Sequence, residues 1–315
     1  MTKKRCAADP SRPKAKKRPE NRLAVIFLII SLSGLTVLFF LWRYPLNKTP
    51  GYNLKGEAER FASRSLLLTD RQLTPLAHLE ANRKAAPASL TKMMTVLVAL
   101  EECQDLSATT QIDTDSYLRM VESNASMAGF YGRETVTIRD LVYGTMLPSG
   151  GEAASSLAIA IAGDEASFVR LMNNKVAELG LQQTHFTNVT GLDDPDQYST
   201  AADLARLLTF ALDNPDFRAV FTAATYQSSP SLDHPDGVYM ESSVLHAEQE
   251  YGLLPAGTHL VGGKSGITDA AGRCWASLLE KDGREYLAVT LGANLELADP
   301  PAQLTDTAKL AELIP

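Results

Sequence analysis

The chain has 315 residues, 45% of them hydrophobic and 21% charged, with a formal net charge of −7. That balance excludes a disordered, collagen-like or coiled-coil protein, and three cysteines are too few for a disulfide-built scaffold. A mean hydropathy of −0.09 excludes a multi-span membrane protein while leaving room for a single span.

The charge is uneven along the chain. Ten basic and two acidic residues fall in 1–43, a net of +8, which leaves −15 on the remainder. Nucleic-acid binding depends on neutralising phosphates with Lys and Arg, so the acidic body is not expected to take a nucleic-acid partner. The basic residues of the 1–22 tail instead precede Leu23–Trp42, a run of 20 residues without charge. About 20 apolar residues in a helix cross a bilayer core. A core helix of that length should show a polar face, and a cleaved signal should be shorter and end in a small-x-small site. Residues 23–42 are therefore expected to be an uncleaved transmembrane signal anchor. The positive-inside rule puts the N-terminus in the cytoplasm and the body outside, which makes the protein a single-pass protein of the cell membrane. Residues 43–55, with Pro45, Pro50 and Gly51, read as a linker, and 56–315 as one extracytoplasmic domain. Cys103 and Cys274 could pair there, although a lone cysteine in an apolar stretch is more often a buried free thiol. Cys6 lies across the membrane from both.

Leu66–Leu68 reads as a strand, with a turn at Thr69-Asp70. Residues 89–102, SLTKMMTVLVALEE, predict a helix buried on most sides. Thr137 and Asp140 form a capping-box pattern opening a helix to about Leu147. Small residues over 152–163 predict a closely packed helix. Phe168, Leu171, Met172, Val176 and Leu179 give 164–179 an amphipathic face, with Gly180 as its C-cap. Thr200 and Asp203 open another helix, to about Leu212. The last third changes character: 258–264, 274–281 and 285–292 read as strands, with Asp282-Gly283 turning between the last two, and a helix over 302–313 closes the chain. Strands at both ends around a helical middle predict an α+β body whose sheet joins the two ends.

Three short patterns carry chemistry. In Ser89-Leu90-Thr91-Lys92, a helix starting at Ser89 places Lys92 on the same face. A serine hydroxyl is a weak nucleophile until a base takes its proton, and a lysine is such a base only when burial or nearby positive charge lowers its pKa. The helix N-terminus adds N–H groups suited to an oxyanion. Taken alone the tetrad also fits a helix cap with a surface lysine, and Ser11-Arg12-Pro13-Lys14 repeats the spacing in the tail. Lys264-Ser265-Gly266 ends a predicted strand after Gly262 and Gly263. Glycines there would let a substrate backbone approach the strand edge, and Lys264 with Ser265 would hold an anion; alone, this is a turn-flanking lysine. Pro148-Ser149-Gly150-Gly151 joins two predicted helices, and Ser149 there is a proton relay or simply a loop serine.

In this order, S-x-x-K, S-G-x and K-S-G, the chain resembles the serine D-alanyl-D-alanine carboxypeptidases, the low-molecular-mass penicillin-binding proteins. The likeness covers most of 60–295. It is carried by PASLTKMMT (87–95), VTIRDLVYGTMLPSGGEAA (136–154), FTNVTGL (186–192), YSTAADLARL (198–207) and VGGKSGITDAAGRC (261–274). The resemblance implies a penicillin-binding/serine β-lactamase-like fold, with an antiparallel sheet flanked by helices and a helical subdomain. It implies removal of the terminal D-alanine from peptidoglycan stem peptides through an acyl-enzyme on Ser89. Lys92 would be the general base, Ser149 the relay to the leaving amine, and Lys264 and Ser265 the carboxylate binders. Gly266 and Ile267 would extend the substrate-binding strand, with the N–H groups of Ser89 and Ile267 forming the oxyanion hole. β-Lactams would be covalent inhibitors. No cofactor or metal is implied, and His78, His185, His234, His246 and His259 show no ligand spacing.

Two departures stand out. Gly151 replaces the Asn that usually ends the second motif, which implies either a lower activity or another group filling in, such as Glu152 or Asn188, and Ser265 replaces the more usual Thr. The chain also ends soon after the matched region, where many relatives continue into a β-rich domain and a C-terminal anchor. Competing readings are a β-lactamase of the same superfamily, although no E-x-x-L-N motif is present, and a non-catalytic cell-wall-binding module, for which Gly151 is the sole support. An endopeptidase acting on cross-links is a variant of the leading reading.

Overall fold

The computed structural model describes residues 51–296 and 299–315. Its ten strands are β1 (Tyr52–Asn53), β2 (Ser65–Asp70), β3 (Pro75–Leu79), β4 (Thr109–Gln111), β5 (Thr135–Thr137), β6 (Thr225–Gln227), β7 (Tyr239–Glu241), β8 (Thr258–Thr268), β9 (Gly272–Lys281) and β10 (Arg284–Ala293). Among the described residues the nine α-helices are α1 (Thr91–Glu102), α2 (Thr114–Glu122), α3 (Ile138–Met146), α4 (Gly151–Ala162), α5 (Glu165–Leu179), α6 (Ala201–Ala211), α7 (Pro215–Phe221), α8 (Ser243–Tyr251) and α9 (Ala302–Ala311).

The main sheet runs β1-β3-β2-β10-β9-β8. It is mixed rather than wholly antiparallel, because Tyr52 and Asn53 add to β3 in parallel, while every other neighbouring pair is antiparallel. The folded body therefore starts before the boundary expected at Gly56, and Leu54 is already buried in the core. The expected span over 23–42 and the tail before it lie outside the described residues. Among the described residues no helix is long and apolar enough to cross a membrane.

The sheet's core follows from the two-residue side-chain period. On one face Leu66, Leu68, Ala77, Leu79, Leu279, Tyr286 and Ala288 pack against Leu310, Ala311 and Ile314 at the chain's end. α6 packs on β2 and β10, and α8 on β8. The β9–β10 turn is the one expected: Asp282 and Gly283 both take positive φ, 52° and 72°, matching a two-residue hairpin. The strand expected at 66–68 extends through Asp70. The turn comes later, with Asp70 Oδ1 accepting from the N–H groups of Gln72 and Thr74 at 2.9 and 2.7 Å.

The helical layer is built on α1, which is buried from Thr91 to Ala99 and packs against α3, α4, α5 and α6. Thr137 and Asp140 close a full capping box on α3. On α6 only half the box forms. Thr200 caps the N–H of Asp203, but the Asp203 carboxylate turns to Gln183 N and Thr184 Oγ1, both at 2.8 Å. Cys103 and Cys274 are free thiols, and burial pushes the Cys274 thiol up to about 12.

Candidate active site

The site forms where the N-terminal end of α1 meets β8. Ahead of α1, Ala88–Leu90 form one 3-10 turn, entered through Ala88 at φ 49°, a region costly for a residue with a Cβ. Ser89 therefore sits in the turn preceding α1. Lys92, one turn on, is 3% exposed, because the helix that carries it has no polar face. Lys92 Nζ stands 3.1 Å from Ser89 Oγ and donates to Thr190 O at 2.7 Å. Burial lowers the Lys92 pKa to about 7, against the opposing attraction of Glu152. A large fraction of these amines thus lacks the third proton at neutral pH, the condition for accepting one from a hydroxyl.

The carbonyl of Thr190 is fixed by Asn188. Asn188 Oδ1 accepts from Thr190 N and Gly191 N at 3.1 and 2.7 Å, while Nδ2 donates to Leu192 O at 3.0 Å. Asn188 is thus consumed in shaping this turn and does not stand in for the missing amide of position 151. Gly191, at φ 86°, packs on the Ser89 turn so closely that a Cβ would lie 2.0 Å from Ala88 O. On the other side, a Cβ at Gly266 would lie 2.8 Å from Ser89 N. The Ser89 turn is held between two glycines from distant parts of the chain.

Ser149 leads into α4 with φ 66°, and its buried hydroxyl has no hydrogen-bond partner in the protein. Gly151 N donates to Ser126 O at 2.8 Å, and a Cβ at Gly151 would meet Met120 Sδ at 2.5 Å. Met120 of α2 therefore occupies the space an asparagine side chain would need at its root. Glu152 is fully buried. Its Oε1 accepts from Ala128 N at 2.6 Å and Gly129 N at 3.0 Å, pinning the segment that packs on Gly150, and its Oε2 has no partner. Burial raises its pKa despite those amides.

From β8, Lys264 is 1% exposed and donates to Ser265 O at 2.9 Å. Its pKa is driven well down, first by burial and then by Lys92, so the two amines lie within each other's field. Neither lysine is the surface residue that its motif alone would allow. Ser265 Oγ is 2.9 Å from Ser243 Oγ at the start of α8. Ile267 is 50% exposed at the open end of the strand. The glycines at 262 and 263 do not make room for a substrate as expected. A Cβ there would strike Phe221 O at 2.4 Å and Val244 Cγ1 at 2.5 Å, so the protein itself fills the space.

The structure thus joins Ser89, Lys92 and Gly266 by direct contact and Lys264 through its field, with Ser149 at the head of α4, a helix packed on α1. Thr190, Gly191 and Ser243 are contributors that sequence reasoning missed. The Asn188-x-x-Gly191 spacing, an Asx turn with a left-handed glycine, was the available signal for the first two. Among the described residues no group of three His, Cys, Asp or Glu could hold a metal ion. A surface cavity of about 870 Å³ lies away from these residues, between the Arg71 and Gly283 turns, where Arg71 pairs with Asp213 and Glu285.

A family model described as D-alanyl-D-alanine carboxypeptidase (Peptidase_S11) matches residues 53–295. The chain is 29% identical over 229 residues to the D-alanyl-D-alanine carboxypeptidase DacF of Bacillus subtilis, covering 70% of this chain and 54% of that protein. It is 30% identical over 251 residues to a D-alanyl-D-alanine carboxypeptidase of Streptomyces sp. strain K15, covering 75% and 81%. The chain thus spans about half the length of some of the curated relatives it matches and most of others. The crystal structure of the Streptomyces K15 DD-transpeptidase superposes with a TM-score of 0.70 at 26% identity, over 80% of this chain and 97% of that one.

Proposed function

The chain belongs to the D-alanyl-D-alanine carboxypeptidase family, and from that premise we propose that it is a serine-type, penicillin-binding D-Ala-D-Ala carboxypeptidase acting on peptidoglycan stem peptides. The observation that carries the proposal is the 3.1 Å approach of Ser89 Oγ to a lysine amine whose pKa burial lowers to about 7.

Ser89 Oγ attacks the carbonyl between the two terminal D-alanines as Lys92 takes its proton. The oxyanion is held by the N–H groups of Ser89 and Ile267. Ser149, with its hydroxyl otherwise unpartnered, relays the proton that Lys92 took from Ser89 to the departing amine, and D-alanine leaves as the C–N bond breaks. Lys264 and Ser265 hold the terminal carboxylate, beside Gly266 and Ile267 of the substrate-binding strand. That anion also favours the charged form of Lys264, which burial otherwise disfavours. Water then hydrolyses the ester and returns the hydroxyl to Ser89. A β-lactam acylates the same oxygen.

Intact mass of the full-length chain after exposure to benzylpenicillin, with the modified residue mapped, tests this reading. One adduct on Ser89, absent in Ser89→Ala, together with D-alanine release from a stem peptide by wild type only, is the expected result. An adduct elsewhere, or equal release by both proteins, overturns it, and rapid turnover of the penicillin would favour a β-lactamase instead.

We further propose that residues 23–42 anchor the chain in the cell membrane, with the 1–22 tail in the cytoplasm and the catalytic body outside. Support comes from the 20 uncharged residues and the basic cluster before them. Protease added to intact cells should remove the body and spare an N-terminal tag; loss of the tag would refute that orientation.

A further inference from the structure

Ser243 belongs to none of the three motifs, yet its Oγ lies 2.9 Å from the Ser265 Oγ of Lys264-Ser265-Gly266. It is exposed and is not the cap of its helix. Ser242 is, accepting from Leu245 N at 3.3 Å. The Ser243 hydroxyl therefore has no structural duty toward α8, and its hydrogen bond runs to the Ser265 hydroxyl.

A hydroxyl carries one hydrogen. Of the two ways to share the 2.9 Å bond, one has Ser243 donating to Ser265. That leaves the Ser265 hydrogen free to point outward, and accepting a bond polarises Ser265 into a stronger donor. The opposite arrangement spends the Ser265 hydrogen on Ser243. An anion beside Ser265 selects the first arrangement, and the Lys264 amine alongside adds charge of the right sign. Resting on the carboxypeptidase reading above, we propose that Ser243 is a positioning residue that orients the Ser265 hydroxyl toward the free C-terminal carboxylate of the substrate. It thereby sharpens the preference for peptides ending in a carboxylate over the same peptides ending in a neutral group.

The test compares a stem peptide ending in D-Ala-D-Ala with its C-terminal carboxamide, using the full-length chain. Ser243→Ala should lower kcat/KM for the acid about fivefold, mostly through KM, and leave the amide unchanged. Ser243→Thr, which keeps the hydroxyl, should restore the acid. In a Ser265→Ala background Ser243→Ala should add nothing, because the relay has already lost its outer member. Equal losses on acid and amide, full additivity with Ser265→Ala, or no loss in a wild-type enzyme that is active on the acid would each overturn the role of Ser243. A wild type that neither cleaves the acid nor takes penicillin on Ser89 would overturn the carboxypeptidase reading itself and this role with it.

Discussion

On the proposed mechanism, Lys92 serves as a base only in the fraction of molecules where it has lost its third proton. With its pKa lowered to about 7 by burial, that fraction falls about tenfold for each pH unit below the midpoint. The rate of Ser89 acylation by a β-lactam should therefore rise with pH through about 7 and then level off; a rate flat from pH 5 to 9 would contradict this role. Glu152 attracts the Lys92 ammonium and so holds that midpoint up. Glu152→Gln keeps an oxygen for the amides of Ala128 and Gly129 while removing the charge, and should move the midpoint to lower pH in the same assay. Gly151 gives a third expectation. An asparagine there would start with its Cβ 2.5 Å from Met120 Sδ. Gly151→Asn alone should thus cost about 1–3 kcal/mol in denaturant titration. Adding Met120→Ala, which empties that space, should recover part of the loss.

At the scale of elements, the Ser89 turn is clamped rather than self-supporting. The Gly191 turn presses on it from one side and β8, through Gly266, from the other. Gly191→Ala puts a Cβ both into a positive-φ backbone and onto Ala88 O, so a destabilisation of about 3 kcal/mol is expected. Gly266→Ala pushes at Ser89 N itself, and displacement of a reacting group by a fraction of an ångström should reduce acylation about 100-fold with a smaller loss of stability. Melting temperature and penicillin acylation measured on both variants separate the two effects. These clamps mark the boundary of what was legible in the sequence. Ser89 and Lys92 were readable because their relation is local, three residues along one helix. The carbonyl that fixes Lys92 comes from Thr190, 98 residues away, and no local spacing encodes it. Helices opened by a side-chain cap and carrying a clear apolar face, such as α3 behind Thr137 and α5 behind Asp164, were legible, as were the three long strands. The paired ladders β4–β5 and β6–β7 have three residues per strand, too few for a period-two pattern to register. α2, α7 and α8 begin at Asp113, Asn214 and Ser242, each accepting a backbone N–H. Those caps were available as signals, but α7 is only seven residues long, and α2 and α8 bury little, Ser116 and Met120 in the one and Val244 in the other.

Across the whole molecule, the first and last parts of the described body meet on one face of the sheet. Leu54, Leu66 and Leu68 share a core with Leu310, Ala311 and Ile314, as strands at both ends of the sequence imply. One buried polar group secures this junction. The Asp306 carboxylate, on α9, accepts from Ser63 N at 2.7 Å and Ala62 N at 3.3 Å. Lys309 on the next turn spans from Asp306 to the carbonyl of Arg60, at 3.4 and 2.6 Å. Asp306 itself is 0% exposed. Removing its carboxylate leaves the buried Ser63 amide without its acceptor, a loss of about 1–3 kcal/mol, and the weaker Ala62 bond adds to it. Asp306→Ala should accordingly destabilise the protein by about 3 kcal/mol in urea titration. The junction touches neither Ser89 nor Lys92, so the acylation rate of the folded fraction, and its midpoint near pH 7, should stay as in wild type. A shifted pH midpoint in this variant would mean that the α9 face of the sheet communicates with the serine–lysine pair, contrary to a site held locally by the Gly191 and Gly266 clamps.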